Sequence, residues 1–414
     1  MLATLKTLMC ILLMAAFAVP VQAMNRTATA RLSAQNSSSV RDTAVDSAAR
    51  PWQQQAELIA SDGKPADHFA GAVAIRGDTI LVGAWGKNSN RGAVYVFVQR
   101  GARWTQQAKI AAGDGAAGDH FGSAIALVGD TALVGAPGTA GYTGAVYVFV
   151  RSGGRWIQQA KLTAHDATGK DWFGRAVALG GDTALVGAWY QNSGAGAAYV
   201  FERHGTRWAE EARLSATNGQ TEDYFGTSVA ISGGIALVGA GFQHGETGAV
   251  YVFMREGTRW IQRAQVTASD GVSGDIFGSF VALNGDTALI GAAGKASYTG
   301  AAYIFLRTAT RWAQTAKLMA GDAAPKDWFG RSAALSGDTA LVGAWYQGKG
   351  AGAAYVFERQ GSHWMQRVKL TAQDGSPEDC FGGAVALSGG TALVGAGFRN
   401  AATGAAYVFI QNGE

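Results

Sequence analysis

Cysteine is nearly absent from this chain: two in 414 residues. Cys10 lies in an N-terminal apolar stretch that reads as a segment removed on export, so Cys380 is the one cysteine expected in the mature chain and no intrachain disulfide can form. Stability must come from a buried core, which a hydrophobic fraction of 48% can supply. Charge of either sign is also scarce in excess. The net charge is +4, or +3 once Lys6 is gone, too weak to suggest nucleic acid or a polybasic membrane contact. After residue 23 no apolar run approaches the roughly 18 residues of a membrane-spanning helix, so no integral membrane segment is expected. Catalytic signatures are missing too. The six histidines (68, 120, 165, 204, 244 and 363) are read as occupying unrelated positions, and there is no nucleophile elbow, HExxH or phosphate-cradling glycine loop. An enzyme is not expected.

The N-terminus has the form of a signal peptide over residues 1–23. Lys6 gives a positive start, Leu8 to Val19 an apolar centre, and Val21-Gln22-Ala23 a small-residue cleavage site. The expected location is therefore outside the cytoplasm: extracellular, periplasmic or at the cell surface. Residues 24–50 are polar and rich in Ser, Thr and Ala, with no period, and read as a disordered linker.

From there on the chain is periodic. Trp52, Trp104, Trp156, Trp208, Trp260, Trp312 and Trp364 are each 52 residues apart, as are Phe69, Phe121, Phe173, Phe225, Phe277, Phe329 and Phe381. Seven such repeats follow one another with no insertion. A longer echo is laid over them. Residues 171–203 and 327–359 are identical at 28 of 33 positions, three repeats apart, which points to a block of three repeats copied whole. A period near 50 indicates a propeller or solenoid.

Within one repeat the pattern has period two. In the second, FGSAIAL (121–127), TALVGA (131–136), AVYVF (145–149) and WIQQAKL (156–162) read as four strands separated by Gly and Asp turns. Phe121, Ile125 and Leu127 form a bulky face opposite Gly122, Ala124 and Ala126, suited to stacking one sheet on the next. The first three strands are apolar on both faces. The fourth alternates with Gln and Lys and reads as the outer edge. The chain enters the pattern at a fourth strand (Trp52 to Ile59) and leaves after a third (Ala406 to Ile410), so the two fragments make one complete blade. The expected fold is all-β, a seven-bladed propeller over residues 51–411 with four-stranded blades, closed by pairing of the N-terminal outer strand with the C-terminal blade.

Phe121-Gly122 followed by Gly135-Ala136-Pro137 resembles the FG-GAP repeat of the integrin α-subunit propeller, in its bacterial form, and the resemblance covers residues 52–410. It implies an extracellular binding or adhesion module, taken as monomeric, that recognises a protein or a glycan without catalysis; a propeller lectin is the alternative. The family's calcium loops are not carried over. Between the first two strands this chain has only a two-residue turn such as Gly129-Asp130, too few oxygens for calcium, so no cofactor is expected and calcium is disfavoured. The first repeat has Phe69-Ala70 in place of Phe-Gly, and its strand is expected to enter at a different angle.

Three groups of side chains remain as candidates. Acidic pairs spaced D-x4-D (Asp62/Asp67, Asp114/Asp119, Asp166/Asp171, Asp270/Asp275, Asp322/Asp327 and Asp374/Asp379, with Asn218/Asp223 as exception) precede each Phe-Gly strand. They are read as loop caps in preference to a cation site. Arginines of the opposite-face hairpins, such as Arg151, Arg203 and Arg307, read as solvated edges beside the Gly-Asp turns. Arg76-Gly77-Asp78 is one such turn whose adhesion-like spelling is a product of the repeat. Candidate ligand-binding residues are the aromatics of the loop face, namely Trp172, Trp189, Tyr190, Tyr224, Phe242, Trp328, Trp345 and Tyr346. The alternative is packing between blade rims.

Overall fold

The computed structural model describes residues 51–309 and 311–411. The expected signal peptide (1–23) and polar linker (24–50) lie outside the described residues.

Seven antiparallel sheets of four strands each form the structure. In the first blade the strands are Phe69–Arg76, Thr79–Ala84, Ala93–Arg100 and Arg103–Ile110, in that order across the sheet. First strands of successive blades adjoin one another and so surround the axis, while fourth strands lie outermost. The last blade is completed from the other end of the chain: Trp52–Leu58 pairs with Ala405–Gln411, with Trp52 opposite Gln411 and Leu58 opposite Ala406. The ring is closed as the phase of the repeat implied.

The bulky face of each blade packs on the preceding one. Phe121, Tyr147 and Phe149, with Ile125 and Leu127, share a core with Ala74, Leu81, Val94 and Val96 of the blade before. The comb of phenylalanines is thereby explained. Phe121 meets Tyr147 at 5.6 Å and Phe149 at 5.8 Å, both edge to face, an arrangement worth about 0.5–1.5 kcal/mol per ring pair beyond area burial. The tryptophan comb sits further out, where the indole of Trp104 donates to Gln55 (3.0 Å) and that of Trp208 to Gln159 (3.1 Å) of the neighbouring outer strand. Both glutamines occupy a bulge in that strand, as shown by the register shift at Gln54/Ala56.

Neighbouring blades are also joined through their backbones. Each Phe of the Phe-Gly step forms a parallel bridge to the Gly ending the previous blade's second-to-third loop, as in Gly92 to Phe121. The approach is so close that a Cβ on Gly92 would stand 2.0 Å from the Phe121 carbonyl oxygen, and its φ of +86° lies in the left-handed region that favours glycine. The same loop contact joins the last blade to the first: the N–H of Phe69 donates to the Thr403 carbonyl at 3.1 Å. Ala70 replaces the Phe-Gly glycine yet keeps a positive φ of 68°, and Phe69 pairs with Ala84 just as Phe277 pairs with Ala292. The expected departure of the first repeat does not show in its register.

Candidate functional site

One end of the propeller carries both the loops between second and third strands and the connections leading into each first strand. The second carboxylate of each acidic pair caps its own connection. Asp67 accepts from the Lys64 N–H at 2.7 Å, Asp119 from Ala116 at 2.8 Å, and Asp171 from both the N–H and the hydroxyl of Thr168 at 2.7 and 2.9 Å. The first carboxylate does something the sequence reading missed. It accepts the hydroxyl of the buried third-strand tyrosine, 33 residues on: Tyr95 to Asp62 at 2.5 Å, Tyr147 to Asp114 at 2.8 Å, Tyr355 to Asp322 at 2.7 Å. A cation from the outer strand completes the group, as with Lys109 on Asp62 and Lys161 on Asp114. Burial opposes ionisation of Asp62, but the hydrogen bonds of Lys109 and Tyr95 and the charges of Lys109 and Lys87 bring it down to about 2. Where the repeat has Asn218, the partners are the neutral Gln243, Tyr251 and Gln265. Acid and base are lost together there, the mark of an internal structural cluster. Among the described residues no group of His, Cys, Asp and Glu is arranged to hold a metal.

The opposite end matches expectation. Arg151, Arg203, Arg307 and Arg359 each pair with the aspartate of a Gly-Asp turn, Asp130, Asp182, Asp286 and Asp338. Arg76, Gly77 and Asp78 form an exposed turn there.

On the loop face the aromatic candidates form a belt of ring contacts where the first strands begin. The residue before each Phe is the key to it. His68, His120, Trp172, Tyr224, Ile276, Trp328 and Cys380 all have φ between 52° and 58°. That left-handed conformation is unusual for such large side chains and is held by hydrogen bonds to the previous blade's loop, such as Trp172 N–H to Tyr142 O at 2.8 Å. From Phe398 the ring contacts run through His68, Trp85, His120, Tyr142, Trp172 and Trp189 to Tyr224 and Phe242. Ile276 interrupts the belt. It resumes through Tyr298, Trp328, Trp345 and Tyr346, until Cys380 interrupts it again. Trp189, Tyr224 and Trp345 are buried, whereas Trp172, Tyr190, Phe242, Trp328 and Tyr346 are half-buried. Tyr190 stacks on Tyr224 at 6.1 Å. The structure thus joins five of the eight candidates in one arc and three in the other.

His68 and His120 correct the sequence reading of the histidines: they stand one repeat apart, at the same place in the belt. Burial lowers both, His68 to about 4, so both are neutral rings near pH 7. Burial and the charges of Glu222 and Tyr190 raise Tyr224 to about 12. Cys380 is buried, as expected of a filler.

In the comparison with family profiles, the FG-GAP repeat matches residues 52–97, 104–149, 156–201, 208–253, 260–305, 312–357 and 364–409. No curated protein sequence matches the chain. Among solved structures, one chain in the crystal structure of a mitotic checkpoint complex is similar in fold, with a TM-score of 0.56 at 12% identity over 93% of this chain and 98% of that one. Such a likeness speaks to the propeller fold alone.

Proposed function

This chain belongs to the FG-GAP repeat family, whose β-propellers are in general binding folds, and from that premise we propose that it is an exported, non-enzymatic recognition module that takes a glycan at the aromatic belt of its loop face. Export rests on the N-terminal signal sequence. The observation that carries the glycan reading is the aromatic belt. Five of its candidate rings, Trp172, Tyr190, Phe242, Trp328 and Tyr346, are half-buried and so keep part of their surface open, which suits a narrow, partly polar ligand. A docking surface for a globular protein would show a contiguous exposed apolar patch. The exposed large apolar residues are instead scattered: Ile59, Tyr142, Ile157, Val272, Met319 and Met365.

A glycan array probed with the mature chain tests this. Binding to a restricted set of saccharides, lost when Trp172 and Trp328 are both changed to Ala, is the expected result. Silence across the array contradicts it and favours a protein partner.

A further inference from the structure

The end opposite the aromatic belt is built from the turns between first and second strands and the hairpins between third and fourth. Each hairpin of blades two, three and five carries two arginines. The first, Arg151, Arg203 or Arg307, is the one neutralised by its turn aspartate. The second opens the outer strand, directly before the tryptophan of the comb: Arg155, Arg207 and Arg311, with Arg103 and Arg259 in blades one and four. All five are exposed, and their guanidinium groups have no hydrogen-bond or ion-pair partner among the described residues. In the sixth blade the position is His363, and in the last it falls at Pro51, just before the strand that closes the ring. Blades one to five are consecutive, so the free arginines follow one unbroken arc of the rim.

The small net charge of the chain conceals this arc, because it averages two unlike ends. Lysines such as Lys109, Lys161 and Lys317 are drawn into carboxylate clusters at the loop end, whereas the hairpins carry arginine and no lysine. Guanidinium is the more weakly hydrated cation and meets phosphate oxygens as a planar fork. The hairpins are of equal length in every repeat, so none stands above the others and the arc is level. Two exposed apolar side chains stand beside it. Ile157 (55% exposed) and Met365 (40%) lie two positions beyond Arg155 and His363, on the same face of the outer strand. Residues 24–50, which join the fold at Pro51 on this same end, add Arg26, Arg31, Arg41 and Arg50 against Asp42 and Asp46. Cations spaced one per blade around a level rim match a planar array of anions. A linear polyanion following them would have to bend through five blades.

We infer that this end is a docking face for an anionic lipid surface, on which Arg103, Arg155, Arg207, Arg259 and Arg311 meet headgroup phosphates while Ile157 and Met365 reach the boundary between headgroups and acyl chains. The inference stands apart from the glycan reading. It leaves the aromatic belt directed away from the surface, open to a ligand.

The test is co-sedimentation of the mature chain with two kinds of vesicle: phosphatidylcholine alone, and an equal mixture of phosphatidylcholine and phosphatidylglycerol. The chain should pellet with the mixed vesicles and stay in solution with phosphatidylcholine. Binding should be lost as sodium chloride is raised from about 0.1 M to about 1 M, where the screening length falls from about 10 Å to about 3 Å. Each arginine close to an anionic surface is worth roughly fivefold in binding, so Arg155→Gln combined with Arg259→Gln should weaken it roughly 25-fold. Lys170→Gln combined with Lys326→Gln removes the same charge from exposed positions at the other end and should leave binding unchanged. Thermal melts of both double variants check that the fold is intact. Equal binding to the two kinds of vesicle, binding to neither, or equal loss in the two double variants overturns the inference and leaves the glycan reading untouched. Retention on dextran sulfate beads without binding to vesicles also overturns it, and makes the arc a site for a soluble polyanion.

Discussion

Gly92 and Gly129 separate two reasons for the same residue. Gly129 sits in an open turn where an added Cβ would have nothing within 4 Å, so Ala there should cost only the left-handed backbone, about 1–2 kcal/mol. At Gly92 an added Cβ would meet the Phe121 carbonyl at 2.0 Å, and Ala there must push two blades apart. Denaturant melts should show Gly92→Ala losing at least about 3 kcal/mol; equal losses in the two variants would mean that the blade contact is looser than described. Asp119→Ala removes the cap on the Ala116 N–H and should cost about 1 kcal/mol. His68 has a pH signature. Its folded pKa of about 4 lies below the ordinary 6.5, so the unfolded chain binds its proton more readily. The contribution is complete above pH 6.5 and is lost as pH falls toward 4, on the order of 3 kcal/mol in all. Urea melts across that window should slope downward with falling pH, and His68→Gln should flatten the slope.

Elements are the most legible part of this sequence, because a strict 52-residue period repeats every strand and turn, and the Trp and Phe combs, seven times. The closing strand can be read from phase alone. What the period conceals is anything set by a single backbone angle or by the ring as a whole. WIQQAKL alternates like a plain edge strand, yet outer strands carry a bulge that aims a side chain at the neighbouring indole. Nothing in Trp172 or Trp328 announces a positive φ, because the usual sign of one is glycine or asparagine. At this scale the seam is the test. Deleting residues 24–50 should leave the melting temperature unchanged. Deleting 24–60 strips Ala405–Gln411 of its partner, exposes a sheet edge and should lower melting by several degrees. The seam also carries Arg399, which bridges Glu57 and Asp374 across the junction of the two chain ends.

At the scale of the whole molecule, seven similar blades make a rigid scaffold whose two ends are chemically different. One end alternates arginine with turn aspartate, neutralised in place. The other gathers aromatic rings where the first strands begin, with its acids drawn into tyrosine and lysine clusters. A chelator should accordingly leave the melting temperature unchanged; a fall of several degrees would show that a cation holds the connections. The central claim is that recognition takes place at the aromatic belt of the loop face. Amide hydrogen exchange of the mature chain, with and without a saturating saccharide identified on the glycan array, measures this most directly. The account predicts protection concentrated in residues 171–176, 189–194, 327–332 and 345–350. Protection confined to the opposite-face hairpins or to the outer strands would contradict it.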